Sequence, residues 1–185
     1  MAILKIARMG HPVLAQRAET VPDPKAPAIR ALVADMVETM IDANGAGLAA
    51  PQVHVSLRVV VFQAPSQRSD PGVSDDEAFE HGTPLTVLVN PQYEVIGTET
   101  QGGWEGCLSV PGLRGFVERA SHIRYHGFDL EGREITRTAK GFHARVVQHE
   151  LDHLDGFLYP ARMNDMSRLI FETEVKHWLA RESGA

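Results

Sequence analysis

Residues 148–153, with the sequence Gln-His-Glu-Leu-Asp-His, constrain the fold more than any other part of this chain. His149 and His153 are four positions apart, so on a helix both imidazole rings project from one face and can bind one metal ion. Glu150 follows the first histidine and would lie beside that ion, where its carboxylate can take a proton from a water molecule. Apolar residues at 146, 147, 151 and 154 indicate a buried helix rather than a surface helix with two solvated histidines.

The third ligand of such a site is not specified by this spacing. A catalytic metal site typically has three protein ligands and one open position. Cys107, the single cysteine, is one candidate, because a thiolate suits Fe²⁺, Zn²⁺, Co²⁺ or Ni²⁺, although a buried cysteine is commonly an inert apolar residue. Glycines at 102 and 103 and the Pro-Gly pair at 111 and 112 predict that this cysteine lies in a loop. Glu172 and Glu174, on the predicted last helix, are the other candidates, and the choice stays open at this point.

The composition predicts a cytoplasmic protein with one domain spanning residues 1–185. The length is typical of one domain, and a single cysteine cannot form an intrachain disulfide. No run of about 20 apolar residues predicts a membrane helix, and no signal or transit segment is recognised at the amino terminus. The formal net charge of −6 argues against a broad DNA-binding face. One arginine and five acidic residues within 64–84 predict a polar surface loop there.

The order of the predicted elements indicates an α+β fold. A helix is predicted to begin at Pro27 and to end at Asn44-Gly45, with apolar residues at three- and four-residue spacing. Short strands are predicted at 57–62, 85–89, 93–96 and 123–130. The metal-binding helix follows over 141–153, and a last helix is predicted from residue 164 or 165 to Leu179. We therefore expect antiparallel sheets packed around a central metal-binding helix, with an N-terminal helix and a C-terminal helix.

The turn at 45–52, Gly-Ala-Gly-Leu-Ala-Ala-Pro-Gln, contains two glycines that allow the backbone to approach a ligand closely. No strand is predicted before these glycines, which argues against a dinucleotide-binding turn, and no Gly-Lys-Ser/Thr follows, which argues against a P-loop. The turn is either a simple helix C-cap or part of a site in which Gln52 donates to a developing oxyanion.

Three segments in this order resemble the peptide deformylase family: 45–52, 105–109 with the sequence Glu-Gly-Cys-Leu-Ser, and 148–153. The resemblance covers nearly the whole chain and implies hydrolysis of the formyl group of N-formyl-methionyl nascent peptides, with release of formate. It implies one divalent metal ion, natively Fe²⁺ and replaceable by Zn²⁺, Ni²⁺ or Co²⁺, held by Cys107, His149 and His153. It assigns Glu150 as the general acid and base, and Gln52 with the backbone N–H of Leu108 as the oxyanion donors. A monomer in transient contact with the ribosome is expected.

The resemblance also implies a peptide-binding cleft, in which the backbone of Gly47 pairs with the extended substrate. The other residues expected to line this cleft are Gly45, Ala46, Trp104, Glu105, Gly106, Phe142 and Val146. Glu105 is expected to pair with Arg119 and so to hold the cysteine segment in place. Arg145 stands where many family members have an aliphatic residue, and its side chain is expected to extend to solvent.

Three other functions remain compatible with the sequence. A metalloprotease would take Glu172 or Glu174 as its third metal ligand instead of Cys107. A non-catalytic metal-binding or structural domain would have no need of Glu150. A hydrolase of the same fold could also act on a different acyl group.

Overall fold

The computed structural model describes residues 2–64 and 83–182, so most of the acidic loop predicted at 64–84 lies outside the described residues. Within these ranges the chain forms three α-helices, α1 (Pro27–Asp42), α2 (Gly141–Leu154) and α3 (Val175–Glu182). The same part of the chain contains eight strands: β1 (Gly47–Ala49), β2 (Val59–Ala64), β3 (Thr83–Val95), β4 (Thr100–Cys107), β5 (Val110–Ala120), β6 (His122–Phe128), β7 (Glu134–Lys140) and β8 (Leu169–Phe171).

The strands form two antiparallel sheets. The first sheet has five strands in the order β1-β2-β3-β6-β7, and the second has three in the order β4-β5-β8. Helix α2 contacts strands of both sheets, whereas α1 contacts β1 and β2 of the first. The predicted α+β architecture, with a central helix joining antiparallel sheets, is therefore confirmed.

Strand β2 explains why the five-stranded sheet carries a helix on each face. Side chains alternate between the two faces of a strand. Val60 and Phe62 belong to the apolar cluster that contains the buried residues of α2, whereas Val59 and Val61 belong to the cluster that contains those of α1. All four are fully buried. A strand buried on both faces reads as a continuous apolar run, as this one does.

The two strands predicted around Asn90-Pro91 are a single long strand, β3. Its pairing with β6 shifts register between Val89 and Gln92, and Asn90 has a positive φ of 53°. An irregularity of this kind bends a strand without ending it. The Asn90 side chain also accepts a hydrogen bond from the N–H of Val21 at 2.8 Å and donates to its carbonyl at 2.9 Å, which ties the N-terminal arm to this bend.

The start predicted for the last helix is wrong. Asp165 does cap a helical turn, but this is a short 3-10 turn, Met166–Arg168, and α3 begins only at Val175. The intervening residues Leu169–Phe171 form β8, which pairs with β5. The open edge of β5 provides hydrogen-bond partners for the backbone of this segment. This non-local pairing outweighs the helical spacing of the segment's apolar residues.

The prediction that Cys107 lies in a loop is also wrong, because residues 100–107 form strand β4. Glycines are unfavourable in a strand interior unless a neighbour needs the space. A β-carbon at Gly102 would overlap the Phe116 ring, and one at Gly103 would lie 2.9 Å from the guanidinium carbon of Arg145. Gly102 therefore marks close packing within the second sheet, and Gly103 marks close packing of that sheet against α2. No helix among the described residues is both long enough and apolar enough to span a bilayer.

Candidate metal centre

The end of β4 and the middle of α2 bring Cys107, His149 and His153 together. Their sulfur and ring-nitrogen atoms all lie within 4.8 Å of one another, and the Cys107 Sγ lies 3.4 Å from His153 Nε2. Both histidine rings project from one face of α2, as the four-residue spacing predicts, and His153 is 1% exposed. A thiolate and two imidazoles form a donor set that suits Zn²⁺ and Fe²⁺.

The alternative third ligands lie elsewhere. Glu172 forms an ion pair with Arg114 at the rim of the cavity, and Glu174 is exposed and accepts a hydrogen bond from Thr173. Neither belongs to a group of His, Cys, Asp and Glu residues that could hold a metal ion in the part of the chain that the structure describes. The geometry therefore favours Cys107.

The local electrostatics favour the form of Cys107 that binds metals. Burial alone would raise the pKa of this thiol, but the adjacent rings of His153 and His149 outweigh burial and hold the pKa well below its ordinary value. The pKa of His149 is raised well above its ordinary value, because its hydrogen bonds to Cys107 and Glu105 outweigh the opposing effect of burial. The thiolate is the metal-binding form of cysteine, and a bound cation displaces the imidazole proton.

Glu105 orients the ring of His149. Its Oε2 lies 2.9 Å from His149 Nδ1, and both of its oxygens accept hydrogen bonds from Arg119 at 2.9 Å. Burial would raise the pKa of this carboxyl group, but Arg119 and His149 hold it far below its usual range. An ionised carboxylate only accepts, so Nδ1 carries the proton and Nε2 is left to coordinate a metal. The predicted pairing of Glu105 with Arg119 is confirmed.

The same arginine extends the buried network to α2. Arg119 Nη1 donates to Asp152 Oδ2 at 2.5 Å, and Asp152 also accepts from Arg162. Asp152 lies one residue before the second histidine and is 5% exposed. Its carboxylate therefore joins α2 to β5 and does not face the metal-ligating atoms.

Glu150 follows His149 on α2 and lies beside the three candidate ligands. Burial raises the pKa of its carboxyl group to about 7. Its Oε2 is buried and has no hydrogen-bond partner among the described residues. A carboxyl group with a pKa near neutrality can both take and return a proton, which is what general acid–base catalysis requires.

Gln52 is held in one orientation by the turn that precedes β2. Its Oε1 accepts a hydrogen bond from the N–H of Ala49 at 2.9 Å. Its Nε2 lies 3.1 Å from Ser109 Oγ and 3.4 Å from Cys107 Sγ. The amide donor is therefore directed toward the cysteine. Leu108 occupies the turn with Ser109 that joins β4 to β5, where Cys107 pairs with Val110.

The three ligands and Glu150 lie at or near a cavity of about 680 Å³. All of the residues predicted to bind substrate line it, namely Gly45, Ala46, Gly47, Trp104, Glu105, Gly106, Phe142 and Val146. Gln52, Leu108, Cys107, His149 and Glu150 line it as well. Strand β1 borders this cavity and is the edge strand of its sheet, paired only with β2 among the described strands. The individual roles of these residues remain predictions.

The expectation for Arg145 is wrong, because its side chain is buried and only 6% of the residue is exposed. It donates to Glu105 and to the carbonyl groups of Val117 and Gln101. A long cation is buried only where it is fully paired, and strands β4 and β5 supply the acceptors. Two further residues were not foreseen: Gln148 bonds both backbone groups of Ala120, and Ser109 holds Gln52. No spacing pattern indicates these two contacts, whereas the glycine at 103 is a local sign of the close packing around Arg145.

The fold and the site together define a metallohydrolase, with a Cys-His-His centre and a buried glutamate at the base of a cavity. The family model described as Polypeptide deformylase matches residues 3–169, and the chain belongs to this family. Peptide deformylase 1 of Bordetella pertussis is 49% identical over 172 residues, which is 92% of this chain and 92% of that protein.

Solved structures show the same similarity. The crystal structure of peptide deformylase from Ehrlichia chaffeensis is 32% identical, with a TM-score of 0.79 and 97% of each chain covered. The Met-Ala-Ser bound crystal structure of class I type b peptide deformylase from Acinetobacter baumannii is 35% identical, with a TM-score of 0.76; the match covers 87% of this chain and 98% of that one.

Proposed function

We propose that this protein is a metal-dependent hydrolase that removes the formyl group from the amino terminus of N-formyl-methionyl peptides and releases formate. The observation that carries the proposal is the position of Glu150, a buried carboxyl group with a pKa of about 7, beside Cys107, His149 and His153. Membership of the polypeptide deformylase family supports the reaction class.

The side chains present fit one divalent metal ion. Cys107 is favoured as a thiolate, and the Glu105 contact leaves Nε2 of His149 free to coordinate. We expect Fe²⁺ in the native protein, with Zn²⁺, Ni²⁺ or Co²⁺ able to replace it. When bound, such an ion lowers the pKa of water toward about 7 and polarises a carbonyl oxygen. One thiolate offsets only part of its charge, so a net positive charge remains at the site.

Glu150 performs the proton transfers in this mechanism. Its carboxylate takes the proton of the attacking water as the oxygen–carbon bond to the formyl carbon forms. The same carboxyl group then gives that proton to the peptide nitrogen as the carbon–nitrogen bond breaks, which releases the free amino terminus and formate. Because its pKa is near neutrality, the carboxyl group can both accept this proton and donate it.

Gln52 and the backbone N–H of Leu108 stabilise the formyl oxygen as its negative charge develops. The Ala49 N–H fixes the carbonyl side of the Gln52 amide, so its NH₂ group is oriented before the substrate arrives. A donor that is already in place costs no reorganisation when charge develops, and the loss of one such donor typically lowers turnover by about 10²–10³.

The open edge of β1 binds the peptide backbone. Gly47 would pair with an extended substrate as an added strand, and the apolar side chains of Phe142, Val146 and Trp104 would receive the methionine side chain. The Acinetobacter baumannii relative with Met-Ala-Ser bound supports a peptide with an amino-terminal methionine as the ligand class. We further propose that the chain acts as one catalytic domain and as a monomer in the cytoplasm, where a transient contact with the ribosome gives access to nascent peptides.

Formate release from formyl-Met-Ala-Ser by Fe²⁺-loaded protein, prepared without oxygen, tests the proposal. We expect turnover by the wild type and a loss of at least about 10²-fold in the isosteric Glu150→Gln variant at equal metal content. Cleavage of internal peptide bonds in place of formate release would indicate a metalloprotease. Release of a different acyl group alone would leave the mechanism in place but overturn the substrate assignment.

A further inference from the structure

We propose that Arg145 is a positioning residue that holds the Glu105 carboxylate against His149 and thereby controls how tightly the protein retains its metal ion. The inference rests on the proposed function, in that it takes His149 as a metal ligand. It adds to that function a residue on α2 that lines the cavity and whose hydrogen bonds go to Glu105 and to two backbone carbonyls rather than to the metal-ligating atoms.

The side chain of Arg145 joins three elements at one buried point. Its Nη1 donates to Glu105 Oε1 and to the carbonyl oxygen of Val117, both at 2.8 Å, and its Nη2 donates to the carbonyl oxygen of Gln101 at 2.6 Å. Glu105 and Gln101 belong to β4, and Val117 belongs to β5. The guanidinium group therefore fixes α2 against both strands of the hairpin that carries Cys107.

Arg145 and His149 both lie on α2 and contact the same carboxylate, that of Glu105. They are four residues apart on α2, so their side chains lie one turn apart on the same face. Arg145 contacts Oε1 of Glu105 at 2.8 Å, and His149 Nδ1 contacts Oε2 at 2.9 Å. A rotation of the carboxylate that weakened the histidine contact would also break the arginine contact. The pair thus sets the orientation of the His149 ring.

Arg119 does not make Arg145 redundant. Although Arg119 also binds both oxygens of Glu105, it is shared with Asp152, whose carboxylate lies 2.5 Å from its Nη1. The protein partners found for Arg145 are Glu105 and two backbone carbonyls that do not move independently of the strands. Arg145 therefore gives Glu105 a second donor that is not shared with another carboxylate.

Gly103 provides an independent way to displace this arginine. A β-carbon at Gly103 would lie 2.9 Å from both Cζ and Nη2 of Arg145 and 3.1 Å from its Nε. This is closer than side-chain carbons ordinarily approach. Gly103→Ala would therefore displace the guanidinium group from its present position, and with it the contact with Glu105, although the arginine itself and all three proposed metal ligands would be unchanged.

The experiment measures zinc release from zinc-loaded protein into an excess of a chromogenic chelator, without substrate. Loss of a group that orients a ligating histidine typically weakens metal binding by about 10–100-fold. We expect Arg145→Met to release zinc about tenfold faster than the wild type, and Gly103→Ala to release it faster as well. We expect Arg145→Lys to release zinc at a rate between those of the wild type and Arg145→Met. We expect the double variant Gly103→Ala/Arg145→Met to be no faster than Arg145→Met, because both changes act through one contact.

Arg58→Met is the matched control. Arg58 is also a poorly exposed arginine that bonds two backbone carbonyls, of Leu154 and Pro91, and one carboxylate, of Asp155. The Arg58→Met variant should have a lower free energy of unfolding than the wild type, as should Arg145→Met. Its zinc release should nevertheless stay within twofold of the wild type. Cobalt-loaded samples add a spectroscopic readout, since the visible bands should shift in Arg145→Met and not in Arg58→Met.

Zinc release within twofold of the wild type in folded Arg145→Met would overturn the proposal, as would equal acceleration in Arg58→Met. If Arg145→Met does not fold, Gly103→Ala decides by the same criterion. Because zinc release needs no substrate, its outcome is separate from that of the deformylation assay. Faster release alongside an absence of formate production would reject the proposed activity and keep the role of Arg145.

Discussion

Gly47 and Glu150 are packed so closely that a β-carbon at position 47 would overlap the Glu150 carboxyl group. Gly47 lies on the edge strand β1, and Glu150 lies on α2, so the contact joins the proposed peptide-binding edge to the proposed acid–base residue. The glycine is needed there because of this approach rather than because of an unusual backbone angle. The buried carboxyl group thus depends for its position on a residue about 100 positions earlier in the chain.

Gly47→Ala is therefore expected to displace Glu150 and to lower kcat/KM for a formyl-methionyl peptide by at least about 100-fold, since a misplacement of about 1 Å can cost that much. Zinc content and circular dichroism should remain those of the wild type. Gly127→Ala serves as the control, because its β-carbon would make a tight contact away from the cavity, 3.2 Å from the backbone oxygen of Val89. Activity of Gly47→Ala within fivefold of the wild type would show that the contact does not position Glu150.

Gln52→Leu removes the oriented amide donor but keeps the volume of the side chain. We expect kcat to fall by about 10²–10³, since one oxyanion donor is lost, while zinc content is retained. Ser109→Ala is the companion variant, because it removes only the hydroxyl group 3.1 Å from Gln52 Nε2. We expect less than a tenfold decrease in that case. Equal kinetics for Gln52→Leu and the wild type would rule out the role of the amide in the transition state.

Cys107→Ser replaces the thiolate with a hydroxyl group that stays protonated at neutral pH. We expect zinc affinity to fall by more than about 100-fold, because the loss of a ligand should exceed the effect of losing an outer partner. Glu172→Gln should leave zinc affinity unchanged, since Glu172 pairs with Arg114 at the rim. Competition with a chelator measures both. Retention of zinc by Cys107→Ser together with its loss from Glu172→Gln would support the metalloprotease ligand set instead.

His143 predicts a pH dependence of stability that is separate from the metal site. The ring is buried on α2, and its Nε2 lies 3.2 Å from the hydroxyl group of Tyr125. Burial, with a smaller effect of Arg137, lowers the pKa of His143 to about 4. The unfolded chain takes up this proton near pH 6.5, so between pH 6.5 and 4 it binds more protons than the folded chain, and stability decreases as the pH falls.

From pH 7 to pH 5.5 this linkage should cost about 1 kcal/mol of unfolding free energy. His143→Gln removes the titration, so its stability should fall by about 1 kcal/mol less than that of the wild type over this interval. Urea unfolding of identically zinc-loaded samples measures the difference, and protonation of the metal ligands cancels in the comparison. Parallel losses in the two proteins would contradict the prediction.

The sequence by itself determined the local features of this protein. A four-residue spacing places His149 and His153 on one helix face, because the helical repeat is the same in any context. Proline at the first turn and apolar residues at three- and four-residue spacing likewise placed α1, which begins at Pro27 as predicted. The three motifs also identified the family to which the chain belongs.

Only the tertiary structure brought the distant parts of the site together. Cys107 is 42 residues from His149 and reaches it because β4 ends against α2. Arg145 is buried because two strands provide acceptors for it, and Leu169–Phe171 is a strand because β5 offers an open edge. Each of these outcomes depends on partners far away in sequence, whose hydrogen bonds and packing outweigh the local preferences that a sequence pattern records.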